Sequence, residues 1–343
     1  MSEPNVLVVT TAHNGEDGRL VRHKNALERN GISTEIVSIS CSSRVKRLVV
    51  GPIQAYLKVI RSKPICVILP DPELHLFLPF LLRKKTYVIS DVHEDYELVL
   101  EDRDWLPRWL KPLLLRLIRV VAKARDSWSH AVIIAAESLQ VNNEIYVGNR
   151  PNPLDLPQSQ SLSVPYRLVY VGDIRTSRGL IEMLNLTEIT PDVCLDLIGP
   201  CEESHFLIEQ IERRGLSERV IWHGRLSYED SWEIASKALA GLSLLRPTKA
   251  FEKSIPTKVW EYWALGLPVL ASDLSSQAKL ISESGGGFVG NVENLSRIVS
   301  NFVKDPPLSR RYGEVGRSYY LTQEDGSEDR LLILVRSELN RRR

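Results

Sequence analysis

The sequence has few cysteines, no excess of either charge and no long apolar run. Its cysteines are Cys41, Cys66, Cys194 and Cys201. They form no C-x-x-C pair and no Cys/His array at zinc spacing, which excludes a structural zinc site and a disulfide framework and favours reduced thiols in a cytoplasm. The 44 basic and 43 acidic residues nearly cancel over 343 positions. Net charge therefore gives no reason to expect nucleic acid as a partner.

Signals for secretion and for membrane crossing are also missing. The opening residues M-S-E-P-N-V carry an acid and a proline where a signal peptide needs a basic and then an apolar stretch. The most apolar segment is interrupted by Lys111, Arg116 and Arg119, and it falls short of the roughly 18 residues of a spanning helix. We therefore expect a cytoplasmic protein.

Two common nucleotide-binding fingerprints are absent as well. The sequence contains neither a G-x-G-x-x-G loop nor a Walker loop, so a dinucleotide site or a P-loop site of the usual kind is not indicated.

Short β-branched runs alternate with longer helical patterns along the whole chain. The predicted strands of the first half are Val6–Thr10, Thr34–Ser38, Val67–Leu69, Thr86–Ser90 and Ala131–Ala135. Those of the second half are Leu168–Val171, Leu195–Ile198, Val220–His223, Leu242–Leu245 and Val269–Ala271. This alternation predicts α/β architecture with parallel sheets covered by helices on both faces.

A stretch rich in Pro, Ser and Gln separates the two halves. It runs from Asn149 to Pro165 and can continue neither a helix nor a central strand. We interpret it as a linker between two domains; a long loop inside one large domain is the alternative. With two such domains, the default ligand site is an inter-domain cleft beyond the carboxyl ends of the strands.

The segment from Ser254 to Asp273 predicts a loop, a helix, a glycine stop and a strand. Pro256 suits the first turn of the helix and Gly266 suits its C-terminal end. Free backbone N–H groups in the first turn and the charge of Lys258 would attract a diphosphate. Glu261 lies on the same face and could accept hydrogen bonds from a ribose diol. The alternative is a surface Lys/Glu pair that contributes only about 0.2–0.5 kcal/mol.

A second segment, Arg167 to Leu180, predicts an apolar strand that ends at Gly172. A glycine there allows a ligand to approach the backbone. The planar guanidinium of Arg178 suits a diphosphate. An ordinary turn between a strand and a helix is the alternative.

These two segments, with T-A-H-N-G-E-D-G-R-L near the start and D-V-H-E at Asp91 to Glu94, resemble the retaining GT-B glycosyltransferases close to family four, the glycosyl transferases group 1. The resemblance implies two Rossmann-like domains whose parallel sheets face a central cleft. Residues 1–150 would bind the acceptor, residues 166–325 would bind a nucleotide sugar, and the helix in 326–343 would cross back to the first domain.

The resemblance also implies an activity. A sugar would move from a nucleoside-diphosphate sugar, expected to be a UDP-sugar, to a glycan or lipid-linked acceptor in surface polysaccharide or glycoconjugate biosynthesis. It implies no metal and no cofactor besides the donor. The catalytic residues would be His93, Arg178 and Lys258. The donor would contact Gly15, Gly172, Arg178, Glu252, Ser254, Lys258 and Glu261, and the acceptor would contact Glu16, Asp17, His93 and Glu94.

Two alternatives to this site remain open. Lys253 and Asp173 stand where the family has a glutamate and a basic residue, which favours a non-catalytic GT-B subunit that binds a nucleotide sugar or a partner glycosyltransferase. Asp102 and Asp104 form a D-x-D pair, as in metal-dependent glycosyltransferases of another fold. No strand leads into that pair, so we interpret it as an exposed loop.

The segment from Trp105 to Arg125 has tryptophan and leucine at helical spacing with basic residues between them. That pattern predicts a helix lying on an anionic membrane surface at the inner face of the cell membrane. A helix that covers the sheet is the alternative explanation of the leucines.

Overall fold

The computed structural model describes residues 4–12, 15, 17–40, 43–101, 106–136, 139, 142–158, 160–252, 254–323 and 326–342. The chain divides into two compact units, which we call the first unit (residues 1–149 and 325–343) and the second unit (residues 150–324). Each contains one parallel six-stranded sheet.

The sheet of the first unit is formed by β1 (Val6–Thr10), β2 (Thr34–Ser38), β3 (Cys66–Leu69), β4 (Tyr87–Val92), β5 (Ala131–Ile134) and β6 (Ile145–Tyr146). Its helices are α1 (Gly18–Arg29), α2 (Arg44–Ser62), α3 (Pro72–His75), α4 (Leu78–Leu82), α5 (Tyr96–Glu101) and α6 (Lys111–Trp128). The strand order is β2-β1-β3-β4-β5-β6. Residue Val6 of β1 pairs with Thr34 on one side and with Cys66 on the other.

The sheet of the second unit is formed by β7 (Arg167–Val171), β8 (Cys194–Ile198), β9 (Val220–Gly224), β10 (Ala240–Ser243), β11 (Val269–Ala271) and β12 (Gly287–Val289). Its helices are α7 (Leu180–Ile189), α8 (Ser204–Arg213), α9 (Tyr228–Ala235), α10 (Lys249–Glu252), α11 (Thr257–Ala264), α12 (Ser275–Ser284), α13 (Val292–Lys304) and α14 (Pro306–Thr322). The strand order is β12-β11-β10-β7-β8-β9. The last helix, α15 (Ser327–Arg342), belongs to the first unit.

Both faces of the first sheet are covered, as the side chains of β1 show, which point alternately to opposite faces. In β1, Val6 and Val8 join the core cluster that contains side chains of α1 and α15. Leu7 and Val9 join the cluster that contains side chains of α2, α3 and α4. The predicted fold class, α/β with two parallel sheets, is therefore confirmed.

The stretch from residue 149 to residue 165, which the sequence predicts to be a linker, is packed against the second unit over much of its length. The backbone N–H of Gln160 donates to the carbonyl of Ser236, and that of Ser163 donates to the carbonyl of Lys237. The hydroxyl of Tyr320 donates to the carbonyl of Pro151. Residues 150–165 therefore belong to the second unit, because their backbone groups find partners there.

Helix α11 packs so closely on the second sheet that a glycine is required beneath it. The ring of Tyr262 lies directly over Gly241 of β10, and a Cβ atom added to Gly241 would lie 2.3 Å from Cδ2 of that ring. The strand can therefore carry no side chain at this position without moving the helix.

We expect Gly241→Ala to lower the free energy of unfolding by about 1–3 kcal/mol, because overpacking forces the ring of Tyr262 or the backbone to shift. Urea unfolding would measure the change. Gly15→Ala is the matched control, since an added Cβ there meets nothing within 4 Å. Equal losses in the two variants would contradict the packing argument.

Candidate active site

The order in which the chain adds strands to the second sheet reverses at β7. The candidate donor residues lie at the carboxyl end of this strand. The chain passes from β7 to β8 on one side and later returns to β10 on the other side. Ligands of open α/β sheets bind beyond the carboxyl ends of strands at such a switch point. Gly172 follows β7 with φ +139, and a Cβ atom there would lie 3.1 Å from Nζ of Lys258.

Lys258 is the most unusual side chain at this site. It is 7% exposed, and within the described part of the chain its ammonium has no hydrogen-bond partner. Nζ lies 3.5 Å from the centroid of the Tyr170 ring. Burial lowers the pKa of Lys258 well below its usual value, and the positive charge of Arg178 lowers that pKa further. A buried cation without a partner costs free energy, and an anionic ligand would remove this cost.

Arg178 ends a short 3-10 turn, Thr176–Arg178, in the loop after β7. Its charge acts on both Lys258 and Tyr170. Asp173 of the same loop is engaged elsewhere, because its carboxylate forms an ion pair with Nε of Arg175 at 2.6 Å. Arg178 of this loop and Lys258 of α11 therefore both lie beside Tyr170, while Asp173, a carboxylate of the loop, pairs with Arg175.

Glu261 lies one turn after Lys258 on α11 and is 6% exposed. The hydroxyl of Tyr228 donates to its Oε1 atom at 3.4 Å. Its negative charge partly offsets the lowering of the Lys258 pKa. The structure thus brings Gly172, Arg178, Lys258 and Glu261 close together, and it adds Tyr170 and Tyr228, which the sequence analysis missed.

Helix α11 is held in place by the aromatic residues of its W-E-Y-W motif. The hydroxyl of Tyr262 accepts from the N–H of Val171 at 3.1 Å and donates to the carbonyl of Val169 at 3.3 Å. The indole N–H of Trp263 donates to the carbonyl of Gly286 at 2.8 Å. The guanidinium of Arg150 stacks on Trp260, 4.3 Å from the ring centroid. These contacts fix the position of Lys258 relative to the end of β7.

Glu252 and Ser254, the two predicted donor contacts that precede α11, are not among the residues gathered around Lys258. The carboxylate of Glu252 accepts from the N–H and the hydroxyl of Ser275, at 3.0 and 2.7 Å. These hydrogen bonds lower the pKa of Glu252 and hold the start of α12. Ser254 is exposed. Lys253 lies outside the described residues.

In the first unit, the loop after β1 is described at residues 11, 12 and 15 and from Asp17 onward. The Oδ1 atom of Asp17 accepts from the N–H groups of Arg19 and Leu20 and so caps α1. An added Cβ at Gly15 would meet open space. Glu16 lies outside the described residues.

The D-V-H-E segment spans the end of β4: its first two residues are the last two of the strand. His93 is half-buried and meets the ring of Tyr96 edge-on, with centroids 6.4 Å apart, while Glu94 is exposed. Burial raises the pKa of Tyr96, and the charge of Glu94 raises it further. His93, Glu94 and Tyr96 therefore form one cluster at the carboxyl end of β4.

Asp91 at the start of the same segment has a structural role. Its two oxygens accept from Nε and Nη2 of Arg19 at 2.8 and 2.6 Å, and His23 lies 3.2 Å away. Burial alone would raise the pKa of Asp91, but the charge of Arg19 and these hydrogen bonds hold it far below its usual value. Arg19 also donates to the carbonyl of Val147 at 2.9 Å, which ties β4 and α1 to the end of β6.

No group of His, Cys, Asp and Glu side chains in the described ranges could hold a metal ion. The D-x-D pair Asp102 and Asp104 lies outside these ranges.

Comparison with solved structures shows the fold. Sucrose-phosphate synthase from Thermosynechococcus elongatus superposes with TM-score 0.69 at 12% identity, over 98% of this chain and 99% of that chain. HepE from Anabaena, solved in complex with UDP and glucose, superposes with TM-score 0.67 at 12% identity, over 98% of this chain and 99% of that chain. WaaG, a glycosyltransferase involved in lipopolysaccharide biosynthesis, superposes with TM-score 0.64 at 13% identity, over 96% of this chain and 99% of that chain. The chain therefore has the GT-B fold.

The match to a family model falls within the second unit. Residues 155–319 match the model of the family "Glycosyl transferases group 1". No curated protein sequence matches the chain. The chain therefore has the GT-B fold, and its residues 155–319 are similar to the group 1 glycosyl transferases.

We expect Lys258→Met to raise the melting temperature of the ligand-free protein, because it removes a buried ammonium that lacks a partner. The folded-state pKa of Lys258 is lowered, so the unfolded chain holds this proton more tightly. Between that folded pKa and about 10.4, wild-type stability therefore rises with pH, and the advantage of the variant shrinks.

Thermal melts at several pH values would measure this difference. Lys279→Met, at an exposed lysine of α12, should melt like the wild type throughout. A Lys258→Met variant less stable than the wild type at every pH would contradict the argument.

We expect Asp91→Asn to lower the free energy of unfolding by about 3–5 kcal/mol, since it leaves the charge of Arg19 buried and unpaired. Because the folded pKa of Asp91 is lowered, its contribution is present above about pH 4 and is lost as the pH falls further. The difference in the free energy of unfolding between the variant and the wild type should therefore become smaller at acid pH. Urea unfolding measures it, with Asp126→Asn, at an exposed position, as the control.

Proposed function

We propose that the protein is a retaining glycosyltransferase that moves a sugar from a UDP-sugar to a glycan or lipid-linked acceptor, in the biosynthesis of a surface polysaccharide or glycoconjugate. The observation that carries the proposal is the buried ammonium of Lys258, without a hydrogen-bond partner in the described chain, beside Gly172. A diphosphate is an anion of the right chemistry for this position. UDP as the carrier is supported by HepE, which was solved with UDP.

The proposed chemistry needs fixed positive charge. Cleavage of the bond between the sugar and the diphosphate develops negative charge on the leaving oxygen and positive charge at the anomeric carbon. Lys258, Arg178 and the N–H groups at the start of α11 would stabilise the leaving diphosphate without reorganising. Glu261 would accept hydrogen bonds from the ribose, and its contact with Tyr228 orients its carboxylate for that role.

Retention of configuration requires that the acceptor attack from the face that the leaving group departs. In this mechanism an oxygen of the diphosphate takes the acceptor proton, so no protein nucleophile and no metal are needed. We assign acceptor and sugar contacts to His93 and Glu94 at the end of β4, with Gly15, Glu16 and Asp17 in the loop after β1. The reaction would then run in the presence of a chelator.

The non-catalytic alternative keeps one specific support. The carboxylate of Glu252, the nearest substitute for the first glutamate of the family motif, is engaged with Ser275. A subunit of this kind would bind UDP-sugar without releasing UDP. Acceptor-independent release of UDP distinguishes the two, because only a competent site hydrolyses its donor.

We also propose that the enzyme works at the inner face of the cell membrane, where a lipid-linked acceptor would lie. The support is the segment predicted as an interfacial helix, of which the structure describes residues 106–125, chiefly in α6.

We expect UDP to raise the melting temperature of the wild type, because a ligand that binds only the folded state stabilises it. GDP, ADP and CMP are the comparison ligands. The shift with UDP should vanish in Lys258→Ala and persist in Lys279→Ala. A shift of equal size in Lys258→Ala would place the nucleotide elsewhere.

We expect Lys258→Ala and Arg178→Ala each to lower the rate of UDP release from UDP-sugar by about ten- to a thousandfold, the scale of lost charge stabilisation. A coupled assay for UDP in the presence of EDTA would measure the rate. Arg311→Ala, at an exposed arginine of α14, is the control. Wild-type rates in both site variants would overturn the proposed mechanism.

A further inference from the structure

The helices on one face of the first sheet carry a broad exposed apolar surface. Helix α6 contributes a stripe at spacings of four, four and three: Trp109 just before it, then Leu113, Leu117 and Val120. Trp109 is 78% exposed, and the other three are 50–61% exposed. The stripe is exposed from Trp109 to Val120 and ends at Ala124, which follows four residues after Val120 on the same face and is buried.

Helix α2 also carries an exposed apolar stripe. Val49, Ile53 and Leu57 follow one another at spacings of four residues and are 43–61% exposed. The buried residues Ala55 and Val59 lie on the opposite side of the helix and pack on the sheet. Helix α2 is therefore apolar on both sides, and packing within the described chain explains only one of them.

A third apolar element lies between these two helices. Helix α4 contacts both α2 and α6, and Phe77, Phe80 and Leu81 at its outer side are exposed. The ring of Phe80 lies 5.2 Å from that of Trp128 at the end of α6. The three elements thus form one continuous surface, which we call the three-helix surface.

Basic side chains outnumber acidic ones on α2, α4 and α6 taken together. The sequence of α2 contains no Asp or Glu, and neither does the stretch 76–86 that includes α4. In α6 the one acidic residue, Asp126, pairs with Arg125. Arg119 pairs with Glu97. Exposed basic residues remain on all three elements: Lys46 and Arg61 on α2, Arg83 and Lys84 after α4, and Arg116 and Lys123 on α6.

We propose that the three-helix surface docks on an anionic phospholipid bilayer, with α2 and α4 contributing as well as α6. The proposal extends the membrane contact of the proposed function and does not depend on the transfer reaction. Exposed apolar stripes flanked by lysine and arginine are what an interface of anionic lipid requires. In the described chain no helix is long and apolar enough to cross a membrane, so the contact lies in the plane of the interface.

Charge also decides between a bilayer and a second copy of the chain. A two-fold dimer through this surface would bring the same patch of both copies together. Basic side chains would then face basic side chains, which opposes association. An anionic bilayer provides both the apolar layer and the opposite charge.

Flotation of the full chain with vesicles tests the proposal. The vesicles are phosphatidylcholine alone, or phosphatidylcholine with phosphatidylglycerol at about three to one. We expect binding to the mixed vesicles, little binding to phosphatidylcholine, and weaker binding at high salt because salt screens the lipid charge. Equal flotation with both vesicles would overturn the proposal.

Variants test each helix. Val49→Ser with Ile53→Ser in α2, and Leu113→Ser with Leu117→Ser in α6, should each lower the partition coefficient by about tenfold. Arg116→Gln with Lys123→Gln should weaken binding to the mixed vesicles with no effect on folding. The control is Ile333→Ser, because Ile333 is 67% exposed on α15, whose core residues pack on the other face of the same sheet.

Two outcomes would overturn the three-helix surface: wild-type flotation of the α2 variant, or a wild-type dimer in solution that the α2 variant converts to a monomer. UDP release is measured on the same preparations and should be unchanged in the surface variants. If the wild type does not float with the mixed vesicles but releases UDP normally, only the membrane proposal is rejected. Normal flotation without UDP release would reject only the proposed catalytic function.

Discussion

A buried ammonium without a hydrogen-bond partner in the described chain is the constraint around which the second unit is arranged. Lys258 sits against the face of Tyr170, and burial together with Arg178 lowers its pKa. The quadrupole of one aromatic ring returns only part of the hydration that the ammonium has lost. The unpaired charge therefore destabilises the ligand-free fold, and an anion such as a diphosphate would remove this destabilisation. A binding site differs in this way from a core that is optimised for stability.

Maintaining such a group requires a rigid surrounding. Helix α11 is short, and a short helix has little stability of its own. Its position comes from tertiary contacts: Tyr262 bonds to the backbone of β7, Trp263 bonds to Gly286, and Trp260 stacks on Arg150. Gly241 lacks the side chain that would keep the helix away from the sheet, and Gly172 leaves room for the ammonium of Lys258. The aromatic residues of the motif thus act as anchors, and the charged residues between them are left to meet a ligand.

The first unit divides its polar residues in the same way. Asp91 and Arg19 form a buried, doubly hydrogen-bonded pair that ties β4, α1 and the end of β6 together. His93 and Glu94, only two and three residues further along, extend beyond the strand. One short motif therefore contains both a structural carboxylate and the side chains that we assign to the acceptor, because the strand ends between them.

The sequence by itself determined the α/β class, most strand positions and the choice of Lys258, Glu261 and Arg178 as candidate donor contacts. These follow from local signals: continuous apolar runs for buried parallel strands, and proline, glycine and charge at helix ends. Only the tertiary structure decided that Asp91 pairs with Arg19, that Glu252 caps α12 and that residues 150–165 pack on the second unit. It also joined α2, α4 and α6 into one surface. Each of these depends on contacts between residues distant in sequence, which no local pattern encodes.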